Sequence, residues 1–460
     1  MVEDPGCGKH LSSFLGRFVG GGGLLLGRDG GAAQAGTGDG HLFWRTFHIL
    51  HYHGPLPLCH SPEKVTSLRK IRKISIKRFF VLTGFLPLFG IIQAMHWLGF
   101  LLDEVFFRGY RKITVREPIF VVGVPRSGTT FLHHALAKDE QLTTFRTWEC
   151  LFAPSVTERK ICLGLAQVDN RFGRPLGRLV NGLEKCILGS LTDVHPMTLN
   201  VPEEDYFVFM PILACFILIV PFFYTESIWR MAFFDRDMPE RRKQWIMTYY
   251  KRCLQKHLYV HGPEKRLLSK NPSFSSLVGS LNRAFPDGRF ICCVRDPMKT
   301  MPSQLSSLKS GLKLFGVDPY GTVLKNRMIN VFLFYYEHLM SVLSAIPSDR
   351  HVFLPIESLK SDLANTITHT YQRLAIPLDR NFIKELRLED ANARFYVSKH
   401  VYSLEQFGLD EETLRKRFSR VYEEYELSIC GNRNGDKDFL VQKERIHDGT
   451  SPNIGHAAHI

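Results

Sequence analysis

A short apolar run that leads into a glycine-containing loop and a helical pattern is the feature that most constrains this chain. The run is Ile119 to Val124, and the loop Gly123-Val-Pro-Arg-Ser-Gly-Thr-Thr130 opens a helix that continues at Phe131. This order predicts a buried strand whose following turn directs backbone N–H groups and the positive end of a helix dipole towards one point. The sequence therefore predicts a strand–loop–helix unit that binds an anion.

Three further apolar runs of four to five residues predict the rest of the sheet. They are Arg266 to Ser269, Phe290 to Val294 and Val352 to Ile356, and helical patterns begin near Thr130, Pro297 and Ser361. Short buried strands that alternate with helices are typical of parallel sheets covered on both faces. We therefore expect an α/β fold with a P-loop-like central parallel sheet flanked by helices.

The loop resembles a Walker A loop in shape only. Gly128-Thr129-Thr130 stands where a nucleotide-phosphate loop needs Gly-Lys-Ser/Thr, and the cation comes earlier, at Arg126. A kinase without that Lys would lose its main clamp on the β and γ phosphates. A kinase-like phosphotransferase is thus one alternative function, and a non-catalytic membrane-bound scaffold is a second.

The charge balance narrows the class of partner. Lys plus Arg number 59 and Asp plus Glu number 45 in the 460 residues, which gives a formal net charge of +14. A basic surface favours anionic partners such as nucleic acid, phosphorylated cofactors or acidic lipid headgroups, and charge alone does not choose among them. The ten cysteines form no CxxC pair and no Cys/His metal spacing, so we expect reduced thiols and no metal. We also expect no nucleic-acid partner.

Two motifs resemble those of a known family. Residues 121–132, VVGVPRSGTTFL, resemble the 5′-phosphosulfate-binding loop of the sulfotransferases, and residues 290–297, FICCVRDP, followed by Ser303, resemble the family's 3′-phosphate site. The resemblance implies 3′-phosphoadenosine 5′-phosphosulfate (PAPS) as sulfate donor, because Arg offers a rigid bidentate fork to phosphate. The donor-binding residues implied are Arg126, Ser127, Gly128, Thr129, Thr130, Arg295 and Ser303.

Further matches indicate the branch of the family common in bacteria and unicellular eukaryotes. They are Thr147-Trp-Glu149, His195-Pro196, Pro202-Glu-Glu-Asp205, Leu268-Ser-Lys-Asn-Pro272 and Tyr402-Ser-Leu-Glu-Gln-Phe-Gly408. The resemblance covers roughly residues 113–425. The chain lacks the C-terminal Arg-Lys-Gly-rich loop and the catalytic-His context of cytosolic members.

The reaction needs a cation at the leaving oxygen and a base for the acceptor hydroxyl. Lys270, at the end of a predicted strand, is expected to steady the bridging oxygen. Glu149 is the first candidate for the base, because protein-tyrosine sulfotransferases, by resemblance, place their catalytic Glu at this point. His195 and the cluster Glu203-Glu204-Asp205 are the competitors.

Two uncharged runs bear on the membrane and on the acceptor. Residues 79–102 carry no formal charge over 24 residues, which as a helix is about 36 Å, long enough to cross a bilayer. An interfacial or domain-covering hairpin and a buried helix pair are the alternatives. The second run, Tyr206 to Thr225, should not span, since it lies between segments that bind one nucleotide. It serves core packing or an apolar pocket for a lipid, sterol or other lipophilic alcohol.

We divide the chain into four parts. Residues 1–40 are predicted to be a flexible Gly-rich tail, 41–112 a basic and hydrophobic membrane-associated segment, 113–425 the sulfotransferase domain and 426–460 a polar tail. The membrane would belong to the endoplasmic reticulum or Golgi, or be contacted from its cytosolic face.

Overall fold

A computed structural model describes residues 76–188, 199–394 and 402–425. Both predicted tails lie outside the described residues, as does the candidate base His195, and these expectations stay predictions. The boundaries of the predicted parts stay predictions as well.

A five-stranded parallel sheet forms the centre of the described chain. Its strands are β1 (Ile119–Gly123), β2 (Leu142–Thr143), β3 (Arg266–Lys270), β4 (Arg289–Val294) and β5 (His351–Pro355), in the order β2-β3-β1-β4-β5. The predicted α/β class is confirmed, with four strands within one residue of their predicted positions. The sequence did not reveal β2, because a two-residue strand leaves no recognisable pattern.

The α-helices of the described residues cover both faces of the sheet. They are α1 (Ile76–Phe106), α2 (Thr129–Leu136), α3 (Thr147–Phe152), α4 (Val156–Arg171), α5 (Pro175–Leu188), α6 (Glu226–Trp229), α7 (Phe234–Asp237), α8 (Glu240–His261), α9 (Val278–Ala284), α10 (Pro297–Leu314), α11 (Thr322–Leu343), α12 (Ile356–Ser361), α13 (Leu363–Arg373), α14 (Arg380–Arg394), α15 (Glu411–Arg417) and α16 (Ser419–Glu424). Short 3₁₀ helices lie between several of them.

Alternate residues of β1 enter different cores, which explains why the strand is apolar throughout. Phe120 and Val122 belong to a large cluster with α8 and α11, whereas Ile119 and Val121 pack with α2 and α13 on the other face. A strand covered by helices on both faces has no solvent side, so its side chains do not alternate between apolar and polar. The sheet is thus the middle layer of three.

The strand order places three loops at one edge. β1 pairs in parallel with both β3 and β4. β2 and β3 lie on one side of β1, and β4 and β5 lie on the other. Carboxyl ends of parallel strands meet at the same edge, and ligands bind where the order reverses. The segments after β1, β3 and β4 therefore converge.

The predicted apolar helix forms one continuous element, α1, with Pro87 inside it, and not a hairpin. It is the one helix among the described residues that is long and apolar enough to cross a membrane. The second uncharged run instead forms 3₁₀ helices at Asp205–Ile212 and Phe216–Ile219, whose side chains are mostly buried in the large core. Its expected role in core packing is consistent with these contacts.

Candidate functional site

The loop after β1 depends on two glycines. Gly123 and Gly128 have φ angles of 140° and 94°, in the region that favours glycine. A Cβ on Gly123 would clash with the backbone oxygen of Cys293 on β4, and one on Gly128 would clash with the Ile356 side chain. The glycines thus let the loop lie directly against β4 and α12.

The loop buries a side-chain polar group that has no partner among the described residues. Ser127 is fully buried, and its Oγ makes no hydrogen bond with any described residue. Gly128 is the N-cap of α2 and provides no side-chain cap, so the first amides of the helix, from Thr129 and Thr130, keep their hydrogen-bonding capacity. An anion would satisfy both the hydroxyl and the amides.

Arg126, Arg295 and Ser303 meet beside the loop. Arg126, held at φ 71°, donates from Nε to Ser303 Oγ at 3.0 Å, and Arg295 donates from Nη1 to the Arg126 backbone oxygen at 2.9 Å. Arg295 Nε is buried and has no partner among the described residues. Asp296 does not neutralise this group but caps α10, accepting from Met298 N at 2.9 Å.

Lys270 ends β3 next to the loop. Its side chain is 3% exposed, and Nζ lies 2.6 Å from Glu204 Oε1. Glu204 is 22% exposed, so one carboxylate in contact with the buried lysine can still meet solvent or a substrate. The fold thus pairs Lys270 with a member of the acidic cluster.

Glu149 lies in a different environment, a buried ionic cluster. Oε1 is 2.6 Å from His261 Nε2 and 3.4 Å from Arg159 Nε, and Oε2 accepts from Arg146 N at 2.9 Å. Burial by itself raises the pKa of the Glu149 carboxyl, but the His257 and His261 imidazoles and the Arg159 guanidinium outweigh it and lower the pKa to about 2. A fully buried carboxylate with so low a pKa is poorly placed to accept a proton from a substrate.

The same cluster contains the types of side chain that ligate metals. One ligand atom each from Glu149, His257 and His261 lies within 4.8 Å of the others. The guanidinium of Arg159, however, already neutralises the carboxylate and stacks over the Phe145 ring with its centre 5.1 Å from the ring centroid. We therefore assign the cluster to the packing of α3 against α4 and α8. The spacing His257-x₃-His261, one helical turn, was a sequence signal that places two histidines on one face of α8, but it does not indicate Glu149 as their partner.

The other two acids of the cluster, the buried Asp205 and the half-buried Glu203, accept hydrogen bonds from the protein. Asp205 is 1% exposed and accepts from Tyr250 Oη at 2.5 Å, and burial raises its pKa to about 7. Burial also raises the pKa of Glu203, whose Oε1 accepts from the Glu204 backbone N at 2.9 Å. Of the three acids, Glu204 alone contacts Lys270.

A small apolar pocket is lined by residues that follow Glu204 and Lys270 in the sequence. Its walls include Tyr206 and Phe209, directly after the acidic cluster, and Ser273, Phe274 and Leu277, directly after Lys270. Part of the second uncharged run therefore lines a pocket, and the rest fills the core.

Comparison with known proteins agrees with this fold. The mycobacterial STF9 from Mycobacterium avium superposes with a TM-score of 0.57 at 19% identity, covering 73% of this chain and 83% of that one. STF1 from Mycobacterium tuberculosis superposes with a TM-score of 0.51 at 18% identity, covering 68% and 79%. Both are described as sulfotransferases.

Sequence comparison gives the family. Omega-hydroxy-beta-dihydromenaquinone-9 sulfotransferase Stf3, from Mycobacterium bovis and from M. tuberculosis, is 24% identical over 327 residues, 68% of this chain and 78% of that protein. Residues 118–380 match the model of the sulfotransferase family. This chain belongs to the sulfotransferase family.

Proposed function

We propose that this protein transfers a sulfuryl group from PAPS to the hydroxyl of a lipophilic acceptor. The observation that carries the proposal is the convergence of the anion loop, two arginines and the Lys270–Glu204 pair at the ends of three neighbouring strands. Family membership supports sulfuryl transfer over the kinase-like alternative. A scaffold would not need these groups together.

The residues after β1 and β4 fit a donor with two separated phosphate groups. Ser127 Oγ and Arg295 Nε are buried polar atoms without partners among the described residues, and each is a group that binds phosphate well. Arg126, Ser127 and the amides of Gly128 to Thr130 would hold the 5′ side, and Arg295 with Ser303 the 3′-phosphate. The donor supplies an activated sulfuryl group, which these residues orient.

Lys270 and Glu204 supply the charges that transfer requires. The Lys270 ammonium, 3% exposed, can donate a hydrogen bond to the leaving oxygen in a site that excludes water, where such a bond is most effective. Glu204 accepts the acceptor's proton, since it is the partly exposed carboxylate nearest to Lys270. We thus propose Glu204, and not Glu149, as the general base.

The small pocket would have to open to admit an acceptor, and its walls favour apolar molecules. Phe209, Phe216 and Leu277 provide apolar surface, and burial of such surface contributes about 25 cal/mol per Å². The relative Stf3 is named for omega-hydroxy-beta-dihydromenaquinone-9, a hydroxylated menaquinone derivative. Its name supports an acceptor of this type. An apolar acceptor would enter beside Tyr206 with its hydroxyl towards Glu204.

Labelled PAPS with a panel of acceptors tests the proposal. We expect sulfated product from detergent-dispersed lipid alcohols and little from soluble sugars or small phenols, with no requirement for ATP and a divalent metal. A reaction without the protein is the control for background transfer. Turnover of sugars alone would refute the lipophilic acceptor, and transfer from ATP with a divalent metal would refute the donor.

A further inference from the structure

Three helices expose apolar stripes to solvent. On α1 the side chains of Leu88, Ile91, Met95, Leu98, Leu101 and Val105 are 57–63% exposed. On α4 the stripe is Ile161, Leu165 and Val168, each more than half exposed, and on α5 it includes Leu176 and Leu179. Spacings of three and four residues place the members of each stripe on one side of their helix.

Hydrogen bonds join the three helices into one unit, which we call the three-helix face. The Asp103 carboxylate on α1 accepts from the backbone N of Val156 at 2.9 Å and of Thr157 at 2.7 Å, where α4 begins. At the other end of α4, the Asp169 carboxylate accepts from Leu176 N at 2.7 Å and from Gly177 N at 2.8 Å, in the first turn of α5. The apolar stripes therefore belong to adjoining helices.

The catalytic domain contacts α1 along its length. Near the start, the guanidinium of Arg78 lies 5.0 Å from the centroid of the Tyr224 ring, and further along the Phe85 ring packs on Phe315. Trp97 donates to the Pro211 backbone oxygen at 3.0 Å, and the fully buried Asp103 pairs with Lys256 at 2.6 Å. If α1 crossed the bilayer, the part of the domain that packs on it from Arg78 to Asp103, including the charged Lys256, would have to lie in the bilayer as well.

The charges around α4 and α5 are positive. Between residues 160 and 182 the exposed charged side chains are Lys160, Arg171, Arg174 and Arg178. The one acid in this stretch, Asp169, is buried and binds the amides of α5. Basic residues beside exposed apolar stripes match the anionic headgroups and acyl chains of a lipid leaflet.

We propose that the three-helix face inserts into one leaflet of an anionic bilayer and attaches the enzyme without crossing it. Attachment to the bilayer does not depend on the proposed reaction. The route by which the acceptor reaches the pocket rests on the proposed function. Trp97 and Phe85 of α1 contact Pro211 and Phe222 in the segment that also lines the apolar pocket. A lipophilic alcohol would therefore reach the pocket from the leaflet.

Vesicle binding by the full chain tests this attachment without donor or acceptor, so it can fail while the proposed reaction stands. We expect sedimentation with phosphatidylcholine vesicles that contain phosphatidylserine, and at least tenfold weaker binding for the double variant Leu165→Glu/Val168→Glu. Leu388→Glu, at an equally exposed leucine on α14, is the matched control and should bind as the unmodified chain does. Unchanged binding by the α4 variant would overturn the proposal.

Two further measurements test the role of lipid charge and whether α1 crosses the bilayer. A third outcome would show a second copy of the chain on this face. Arg171→Ser/Arg174→Ser should lower affinity for the phosphatidylserine vesicles roughly fivefold per residue, with little change on phosphatidylcholine alone. Asn-x-Ser sequons introduced before α1 and in the exposed end of α14 should be glycosylated together or not at all in microsomes. Glycosylation of one sequon alone would show that α1 crosses the bilayer. A dimer in the absence of vesicles that the α4 substitutions dissociate would show that a second copy of the chain covers the three-helix face.

Discussion

The proposed donor side of the site (Arg126 to Thr130, Arg295 and Ser303) and the proposed acceptor side (Glu204 and the apolar pocket) are built in different ways. On the donor side, consecutive loop residues and one strand end supply the groups, and their mutual contacts follow from the sheet order. On the acceptor side, the position of each carboxylate depends on which distant segment packs against it. Local sequence therefore specifies the first side far more closely than the second.

Removal of Lys270, which lies between the two sides, should have the largest effect. Lys270→Met keeps the buried stem and removes the ammonium, so we expect kcat to fall by about 10²–10³-fold, as when an oxyanion donor is lost. Single-turnover rates with saturating donor would measure it, and the affinity for adenosine 3′,5′-bisphosphate is the control for folding. Turnover within tenfold of the unmodified enzyme would remove Lys270 from the chemistry.

The choice between two carboxylates gives the next effect. Glu204→Gln should lower kcat roughly 100-fold with donor affinity nearly unchanged, as expected on loss of a general base. Glu203→Gln, at the neighbouring residue, is the matched control and should keep most of the activity. If Glu149→Gln abolished turnover in a stably folded protein while Glu204→Gln stayed active, Glu149 would be the base after all.

For Glu149 we expect an effect on stability. A carboxyl pKa lowered from 4.5 to about 2 by folding stabilises the native state by on the order of 3 kcal/mol above pH 4.5, and this contribution is lost as the pH falls through 2. Glu149→Gln should therefore lower the free energy of unfolding more at pH 6 than at pH 3, measured by denaturant titration. An equal loss at both pH values would contradict the ionic role.

On the donor side the expected effect is one of affinity. Arg295→Ala and Ser303→Ala should each weaken binding of adenosine 3′,5′-bisphosphate, by about 1.5–3 kcal/mol for the charged contact and less for the hydroxyl. Calorimetry measures it, with Arg420→Ala, at an exposed arginine on α16, as control. Unchanged affinity in Arg295→Ala would show that the 3′-phosphate binds elsewhere.

The sequence predicted most of the fold because periodicity and turn chemistry are local signals. The predicted strand ends at Val124, Ser269 and Val294 lie within one residue of the observed ends at Gly123, Lys270 and Val294. The environment of Glu149 could not be predicted in this way. Its partners Arg159, His257 and His261 come from α4 and α8, and no local pattern indicates that these helices meet behind α3.

The contact between Lys270 and Glu204 has a consequence for how the binding of one substrate affects the binding of the other. At 2.6 Å each charge already satisfies the other before any ligand is present. If a sulfate donor draws the ammonium towards itself, as proposed, the carboxylate loses its counter-charge and is left to interact with the acceptor. The two binding events would then be coupled, so that a bound donor analogue should change the affinity for the acceptor, and the acceptor that for the donor, by the same factor.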